Sequence, residues 1–160
     1  MPRRKKSVHE QQAEELFRKY KDLIINLYGR GPLDDTQIEA FGKAAFENWQ
    51  GVGGQESFDP PLRPGSYIVN SSYSPSSPGK HWVALHVTRA GTPYTYDSFA
   101  RSGARILHHL NGRRGGSARP LKNSDRSDAE QRGSSAVCGH LSLAWLLVVR
   151  DLGVRKAALI

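Results

Sequence analysis

Residues 81–88 alternate between two faces, and each face holds large apolar side chains. One face carries His81, Val83, Leu85 and Val87, and the other carries Trp82, Ala84, His86 and Thr88. A strand with one solvated face has polar residues at every second position, so this segment predicts the central strand of a β-sheet. The chain must therefore supply strands on both sides of it.

Two segments fit as its partners. Residues 66–70 form a short apolar run before it. Residues 94–97 return after a turn marked by Ala90 and Gly91, which predicts a hairpin.

The length of that turn decides where Asp97 points. An odd-length loop or a bulge places Asp97 opposite Val83, on the face of His81. A two-residue turn places Asp97 opposite Ala84, on the other face, because a slip of one residue reverses every side chain. The sequence leaves both registers open.

Four segments favour helices. Residues 8–28 carry apolar side chains at helical spacing between charged ones. These are Ala13, Leu16, Phe17, Tyr20, Leu23, Ile24, Leu27 and Tyr28. A second helix is predicted over 35–48 with Asp34 as its cap, residues 99–110 favour a short helix, and residues 139–149 form a strongly apolar one.

The 160 residues suit one domain. We predict a basic flexible arm over residues 1–7, a single domain over 8–160 and, within it, an exposed basic loop at about 111–134. Residues 50–65 are rich in Gly and Pro and also predict a loop. The fold class is α+β, with a central mixed or antiparallel sheet packed against helices.

The net charge of +8 is concentrated in two places. Residues 3–6 contribute +4 and residues 101–126 contribute +6, which leaves −2 for the rest. Segregated positive charge indicates an anionic partner, most simply nucleic acid bound through its phosphates, and the alternative is a solvated arm and loop. The candidate contacts are Arg3, Arg4, Lys5, Lys6, Arg113, Arg114 and Arg119.

The apolar segments are too short for a membrane protein. The longest, Leu141 to Val149, has nine residues, whereas a membrane-spanning helix needs about 20. Residues 7–15 are polar where a secretory signal needs an apolar core. We therefore expect an intracellular protein without membrane contact.

Cys138 is the single cysteine, so no internal disulfide is expected, and the six histidines lack the spacing of a metal site. A lone buried cysteine is most often a small hydrophobic residue. Cys138 nevertheless opens an apolar helix, whose dipole favours thiolate, and a nearby His81 imidazolium would lower the pKa of the thiol further. Gly139 lets a substrate carbonyl approach the backbone, where the Cys138 amide and the Gln131 side chain could donate to an oxyanion.

The order of these residues resembles a known superfamily. His81 precedes Trp82, Asp97 lies 16 positions after His81, and Gln131 lies seven before Cys138. Over about residues 65–150, this ordered set is similar to that of adenovirus proteases (adenain) and SUMO proteases. The segments around the histidine and the spacing between Gln131 and Cys138 are adenain-like. Asp followed by Ser is typical of SUMO proteases, whereas adenovirus enzymes carry Glu at the acid position.

The resemblance implies a protease fold in which Cys138 is the nucleophile at the N-terminus of a buried helix. His81 would be the general base and later the acid, and Asp97 would fix the tautomer of its imidazole. Gln131 and the Cys138 amide would form the oxyanion hole.

The resemblance also implies substrate contacts and activators. Trp82 would form a wall of the substrate cleft next to Gly139, and substrates would carry Gly near the scissile bond. No cofactor is required for the chemistry. DNA and a viral peptide activate adenovirus proteases, but here a second cysteine for a disulfide tether is missing. Those enzymes continue with further helices, and we expect residues 8–48 to supply that packing.

The sequence thus predicts a monomeric cysteine endopeptidase that cleaves viral precursor proteins at Gly-containing motifs during virion maturation, in the host nucleus or the virion. One alternative is an isopeptidase that removes SUMO-like or ubiquitin-like modifiers after Gly-Gly. Another is a catalytically inactive, basic virion protein that binds nucleic acid.

Overall fold

The computed structural model describes residues 5–59, 61–71, 81–100, 107, 110, 122–124 and 136–160. The helices of this part of the chain are α1 (Val8–Tyr28), α2 (Asp35–Ala45), α3 (Cys138–Leu152) and α4 (Val154–Ala157). Its strands are β1 (Trp49–Gly54), β2 (Gly65–Asn70), β3 (Trp82–Val87), β4 (Pro93–Tyr96) and β5 (Lys122–Asn123). A 3-10 helix, Gln55–Ser57, follows β1.

The five strands form one mixed sheet in the order β1-β2-β3-β4-β5. β3 pairs antiparallel with β2 and with β4, whereas β1 runs parallel to β2 and β5 parallel to β4. The predicted α+β class and the central position of the 81–88 strand are therefore confirmed.

The alternating side chains of β3 enter two different apolar clusters. Trp82 and Ala84 lie in the larger one, between the sheet and the helices. The smaller cluster, on the opposite face, consists of Tyr67, Val69, Val83, Leu85, Val87, Leu107 and Leu110. A strand with apolar groups on both faces is stabilised because both faces are covered.

Helix α3 is the centre of the larger cluster. Every residue from Cys138 to Val149 is buried, as expected for a helix that is apolar on all sides. It packs on β3 with one side and on α1 with another, where Ala13, Phe17 and Ile24 fill the contact. The N-terminal helices thus supply packing for α3, as expected of residues 8–48.

The loop predicted over residues 50–65 is wrong in its first part, because β1 and the 3-10 helix lie there. Three of the six residues of β1 are glycines, which are rare in strands, and they hide it from pattern analysis. Gly51, with φ of 130°, lies where β1 shifts its register against β2. A bulge at this point suits a residue without a side chain.

Helix α2 begins as predicted and ends early. Asp34 accepts the Gln37 N–H, and the Gln37 side chain accepts the Asp34 N–H, which completes a capping box. The helix ends at Ala45 instead of residue 48, because Phe46 is extended and its ring stacks on Trp49, with centroids 5.9 Å apart.

Two residues of the predicted apolar face of α1 lie at the surface. Leu23 is 50% exposed and Leu27 is 62% exposed, so the face that packs on α3 is narrower than the periodicity indicates. At the start of α1, Ser7 accepts the Glu10 N–H at 3.1 Å. The predicted arm over residues 1–7 therefore includes the cap of the first helix.

The predicted helix over 99–110 and the basic loop over 111–134 lie mostly outside the described residues. Within the loop, Lys122 and Asn123 pair with Tyr94 and Thr95 as strand β5, so the loop prediction is wrong at these two positions.

Candidate active site

Three predicted site residues lie at the end of the sheet where β3 begins. His81 directly precedes β3, Asp97 directly follows β4, and Cys138 is the first residue of α3. Because β3 and β4 are antiparallel, the start of one and the end of the other share a sheet edge. Helix α3 lies across β3 with its N-terminus at the same edge, where the Trp82 N–H is 3.4 Å from the Cys138 sulfur.

The hairpin has the odd-length loop that the His81–Asp97 contact requires. Thr88 donates its N–H to the Thr92 carbonyl at 2.9 Å, which leaves a three-residue loop. The pairing of Ala84 with Tyr96, continued by one residue, places Asp97 opposite Val83. His81 Nε2 then lies 2.5 Å from Asp97 Oδ1, so the register that the sequence left open is the one with both side chains on one face.

The Asp97 carboxylate is held on a second side by the turn that follows it. Its Oδ1 accepts the Phe99 N–H at 3.3 Å, the pattern of an Asx turn. The Phe99 ring lies on the His81 ring, with centroids 5.1 Å apart. Sequence reasoning missed Phe99, although an Asp at the end of a strand, two residues before an aromatic, is a usable signal for such a turn.

The Cys138 sulfur lies among hydrogen-bond donors at the start of α3. Burial by itself raises the pKa of the thiol, but the hydrogen bond with His81 and the N–H groups of Trp82 and Gly139 outweigh it, so the pKa lies below its ordinary value. The helix has no side-chain cap at this end. Its first N–H groups and its dipole therefore also favour a negative charge at Cys138.

The pKa of His81 shifts in the opposite direction. Burial by itself lowers it, but hydrogen bonds and charge attraction from Asp97 and Cys138 outweigh burial, so the pKa lies above its ordinary value. Asp97 uses Nε2, which leaves Nδ1 as the ring nitrogen for the thiol. Both shifts favour a thiolate next to an imidazolium.

Trp82 and Gly139, which are predicted to contact substrate, are buried and contact other residues of the fold. Trp82 is 5% exposed and belongs to the larger core cluster, with its indole N–H bonded to the Leu33 carbonyl at 2.9 Å. A Cβ on Gly139 would lie 3.2 Å from the Trp82 ring and 3.3 Å from Leu33. Close packing thus accounts for both residues.

The remaining predicted residues are described only in part. Gln131, Arg3, Arg4, Arg113, Arg114 and Arg119 lie outside the described residues. Lys5 is exposed, and Lys6 forms an ion pair with Glu14 at 2.7 Å.

Over the described ranges, no group of three or more His, Cys, Asp or Glu side chains could hold a metal ion. In the same ranges, no helix has the length and apolar character needed to cross a membrane. Comparisons with protein-family models, with curated proteins and with solved structures found no match.

Proposed function

We propose that this chain is a cysteine-type endopeptidase with Cys138 as nucleophile. The observation that carries the proposal is the position of His81, which contacts the buried Asp97 carboxylate through one nitrogen and hydrogen-bonds the Cys138 thiol. Each of these residues has an ordinary structural explanation when taken alone. An acid, an imidazole and a thiol in this order, at a helix N-terminus, form the arrangement that nucleophilic acyl transfer needs.

The reaction follows from this arrangement. The thiolate of Cys138 attacks the scissile carbonyl carbon, and the carbonyl electron pair moves to oxygen. When the tetrahedral intermediate collapses, the C–N bond breaks and the His81 imidazolium gives its proton to the leaving amine. Water then attacks the thioester carbonyl carbon while His81 takes one of its protons, the C–S bond breaks, and the carboxylic acid product leaves with the Cys138 thiolate and the His81 imidazolium restored.

Asp97 has the role of an orienting group in this scheme. Its side chain is 1% exposed and accepts from His81, so it holds the ring and stabilises the imidazolium. The Cys138 amide, at the start of α3, and the Gln131 side chain are the proposed oxyanion donors. For the substrate we propose precursor proteins cut at Gly-containing motifs, on the basis of the resemblance to adenovirus proteases.

The test is to incubate the purified chain with a diverse peptide library, with and without DNA, and to map cut sites by mass spectrometry. We expect cleavage that one iodoacetamide adduct abolishes and that Cys138→Ala and His81→Ala remove. The matched control is His86→Leu, which changes a histidine that lies outside the proposed site. His86 lies in β3, five residues after His81, and is hydrogen-bonded to the Ser66 hydroxyl at 3.1 Å.

Different outcomes would point to the alternatives. Labelling of Cys138 by a SUMO-like or ubiquitin-like vinyl probe, without cleavage of the library, would indicate an isopeptidase. If His81→Ala leaves the alkylation rate of Cys138 unchanged and no substrate is cut, the proposal is wrong and a binding protein becomes the better interpretation.

A further inference from the structure

Residues 29–33, in the segment that joins α1 to α2, touch the first turn of α3. His140, which is fully buried in that turn, has its Nε2 2.7 Å from the Gly29 carbonyl oxygen. At the other end of the segment, the Leu33 carbonyl accepts the Trp82 indole N–H at 2.9 Å. The segment is thus fixed at two points, one on α3 and one at the start of β3.

Trp82 is held at three of its polar groups. Besides the bond to Leu33, its carbonyl accepts the Ser142 hydroxyl at 3.1 Å. Its backbone N–H donates to the Cys138 sulfur at 3.4 Å. His140 thus contacts residues 29–33, these contact Trp82, and Trp82 contacts the Cys138 sulfur, while α3 connects Cys138 to His140. We call this closed set of contacts the circuit.

The circuit requires one tautomer of His140. Burial lowers the pKa of this imidazole and outweighs the Gly29 and Val137 carbonyls, which raise it, so the neutral ring with one N–H is favoured. A carbonyl only accepts, so that proton lies on Nε2. The catalytic scheme above does not use His140.

We infer that His140 is a positioning residue for the Cys138 nucleophile, because its bond to Gly29 fixes residues 29–33 and, through Leu33, the Trp82 N–H that donates to the sulfur. The inference rests on the proposed function for its meaning. Its test uses the reactivity of the thiol and needs no substrate.

The experiment measures the rate of iodoacetamide alkylation of the full chain from pH 5 to 10. Cys138 is the single cysteine, so intact mass reports this site alone. His140→Leu removes the donor to Gly29, and His140→Gln keeps an N–H donor at a similar reach. Trp82→Phe breaks the circuit at its second link and tests the inference independently if His140→Leu does not fold. His86→Leu is the matched control.

We expect His140→Leu and Trp82→Phe to raise the apparent pKa of Cys138, because a weakened N–H donor stabilises the thiolate less. Loss of one hydrogen bond to a charged group should lower the thiolate population at neutral pH by about tenfold. The apparent pKa separates this effect from a change in access to the thiol, which alters the maximal rate only. His140→Gln and His86→Leu should stay within about twofold of wild type.

An unchanged apparent pKa in both circuit variants, or an equal rise in His140→Gln and His140→Leu, would overturn the inference. The failure of the proposed function has a different signature, since His81→Ala would then leave the wild-type alkylation profile in place.

Discussion

At His81 and Cys138, burial and hydrogen bonding act in opposite directions. Burial alone lowers the pKa of the imidazole and raises the pKa of the thiol, which favours the neutral pair. The bonds from Asp97, from the Trp82 N–H and between the two residues outweigh burial, and the net shifts favour the charged pair. The hydrogen bond between the two residues, one carboxylate and two backbone N–H groups thus change which protonation state this contact prefers.

The charged pair predicts a bell-shaped dependence of kcat/KM on pH. The lowered pKa of Cys138 keeps the thiolate present to lower pH, and the raised pKa of His81 keeps the imidazolium present to higher pH. The acid limb of the profile should therefore have its midpoint below the ordinary pKa of a thiol. The alkaline limb should have its midpoint above the ordinary pKa of an imidazole. The two apparent values belong to the coupled pair. A wild-type alkylation profile with the pKa of an ordinary thiol would contradict this prediction.

Replacement of Asp97 should slow the reaction less than replacement of His81 or Cys138. Asp97 orients the ring and takes no part in bond formation, and in serine-protease triads loss of the acid costs roughly 10 to 100 times less than loss of the nucleophile. Asp97→Ala, His81→Ala and Cys138→Ala are compared by kcat/KM on one cleaved peptide. Equal losses for Asp97→Ala and His81→Ala would indicate that the acid also determines whether the site folds.

At the scale of elements, the sequence predicts what periodicity and caps encode. The start and end of α1, the Asp34 cap of α2, the two strands of the hairpin and the position of Cys138 at a helix start are all found. The register of the hairpin could not be chosen, because it depends on whether Thr88 or a neighbour closes the loop.

What the sequence could not predict depends on contacts between distant segments. Strand β1 is rich in glycine and is stabilised by pairing with β2, which local propensity does not register. The buried His140 has a helical position like its neighbours, and its partner Gly29 lies 111 residues away in the chain. Tertiary contacts of this kind also make Trp82 a core residue.

Gly42 in α2 offers a test in which propensity and packing disagree. Helix propensity alone predicts that Gly42→Ala stabilises the protein by about 1 kcal/mol. A Cβ at this position would lie 2.3 Å from the Trp49 ring, so we expect a loss of about 1–3 kcal/mol from overpacking. Urea unfolding measures the difference. Gly31→Ala, where nothing lies within 4 Å, should stay within about 0.5 kcal/mol.

At the scale of the whole molecule, the positive charge is separated from the described fold. The described residues hold 13 Lys and Arg and 12 Asp and Glu, so seven of the eight net positive charges lie on the rest of the chain. His81, Asp97 and Cys138 thus lie outside the parts of the sequence that carry most of the charge excess, whereas Gln131 lies within the basic segment. This separation allows nucleic-acid binding and thiol chemistry to be tested independently.

We propose that DNA binds the basic segment over 111–134, and predict a steep dependence of its affinity on salt. The triple variant Arg113→Ala, Arg114→Ala, Arg119→Ala should make the negative slope of log K against log salt shallower by roughly 0.9 for each phosphate that the variant no longer neutralises. The control removes three exposed charges of the described fold, by Lys19→Ala, Lys43→Ala and Arg89→Ala. Equal weakening by both triple variants would mean that net charge alone governs binding.

The sheet covered on both faces makes a last prediction about stability. Leu107 is fully buried in the cluster on the face opposite the helices, together with Val83 and Leu85, whereas Leu27 is 62% exposed on α1. Leu107→Ala should therefore lower the free energy of unfolding by about 2–5 kcal/mol, and Leu27→Ala should change it by less than about 0.5 kcal/mol. Periodicity alone predicts the opposite ranking, because it places Leu27 on the apolar face of a long helix. A larger loss for Leu27→Ala than for Leu107→Ala would mean that α1 packs with a broader face and that the second cluster does not cover the sheet.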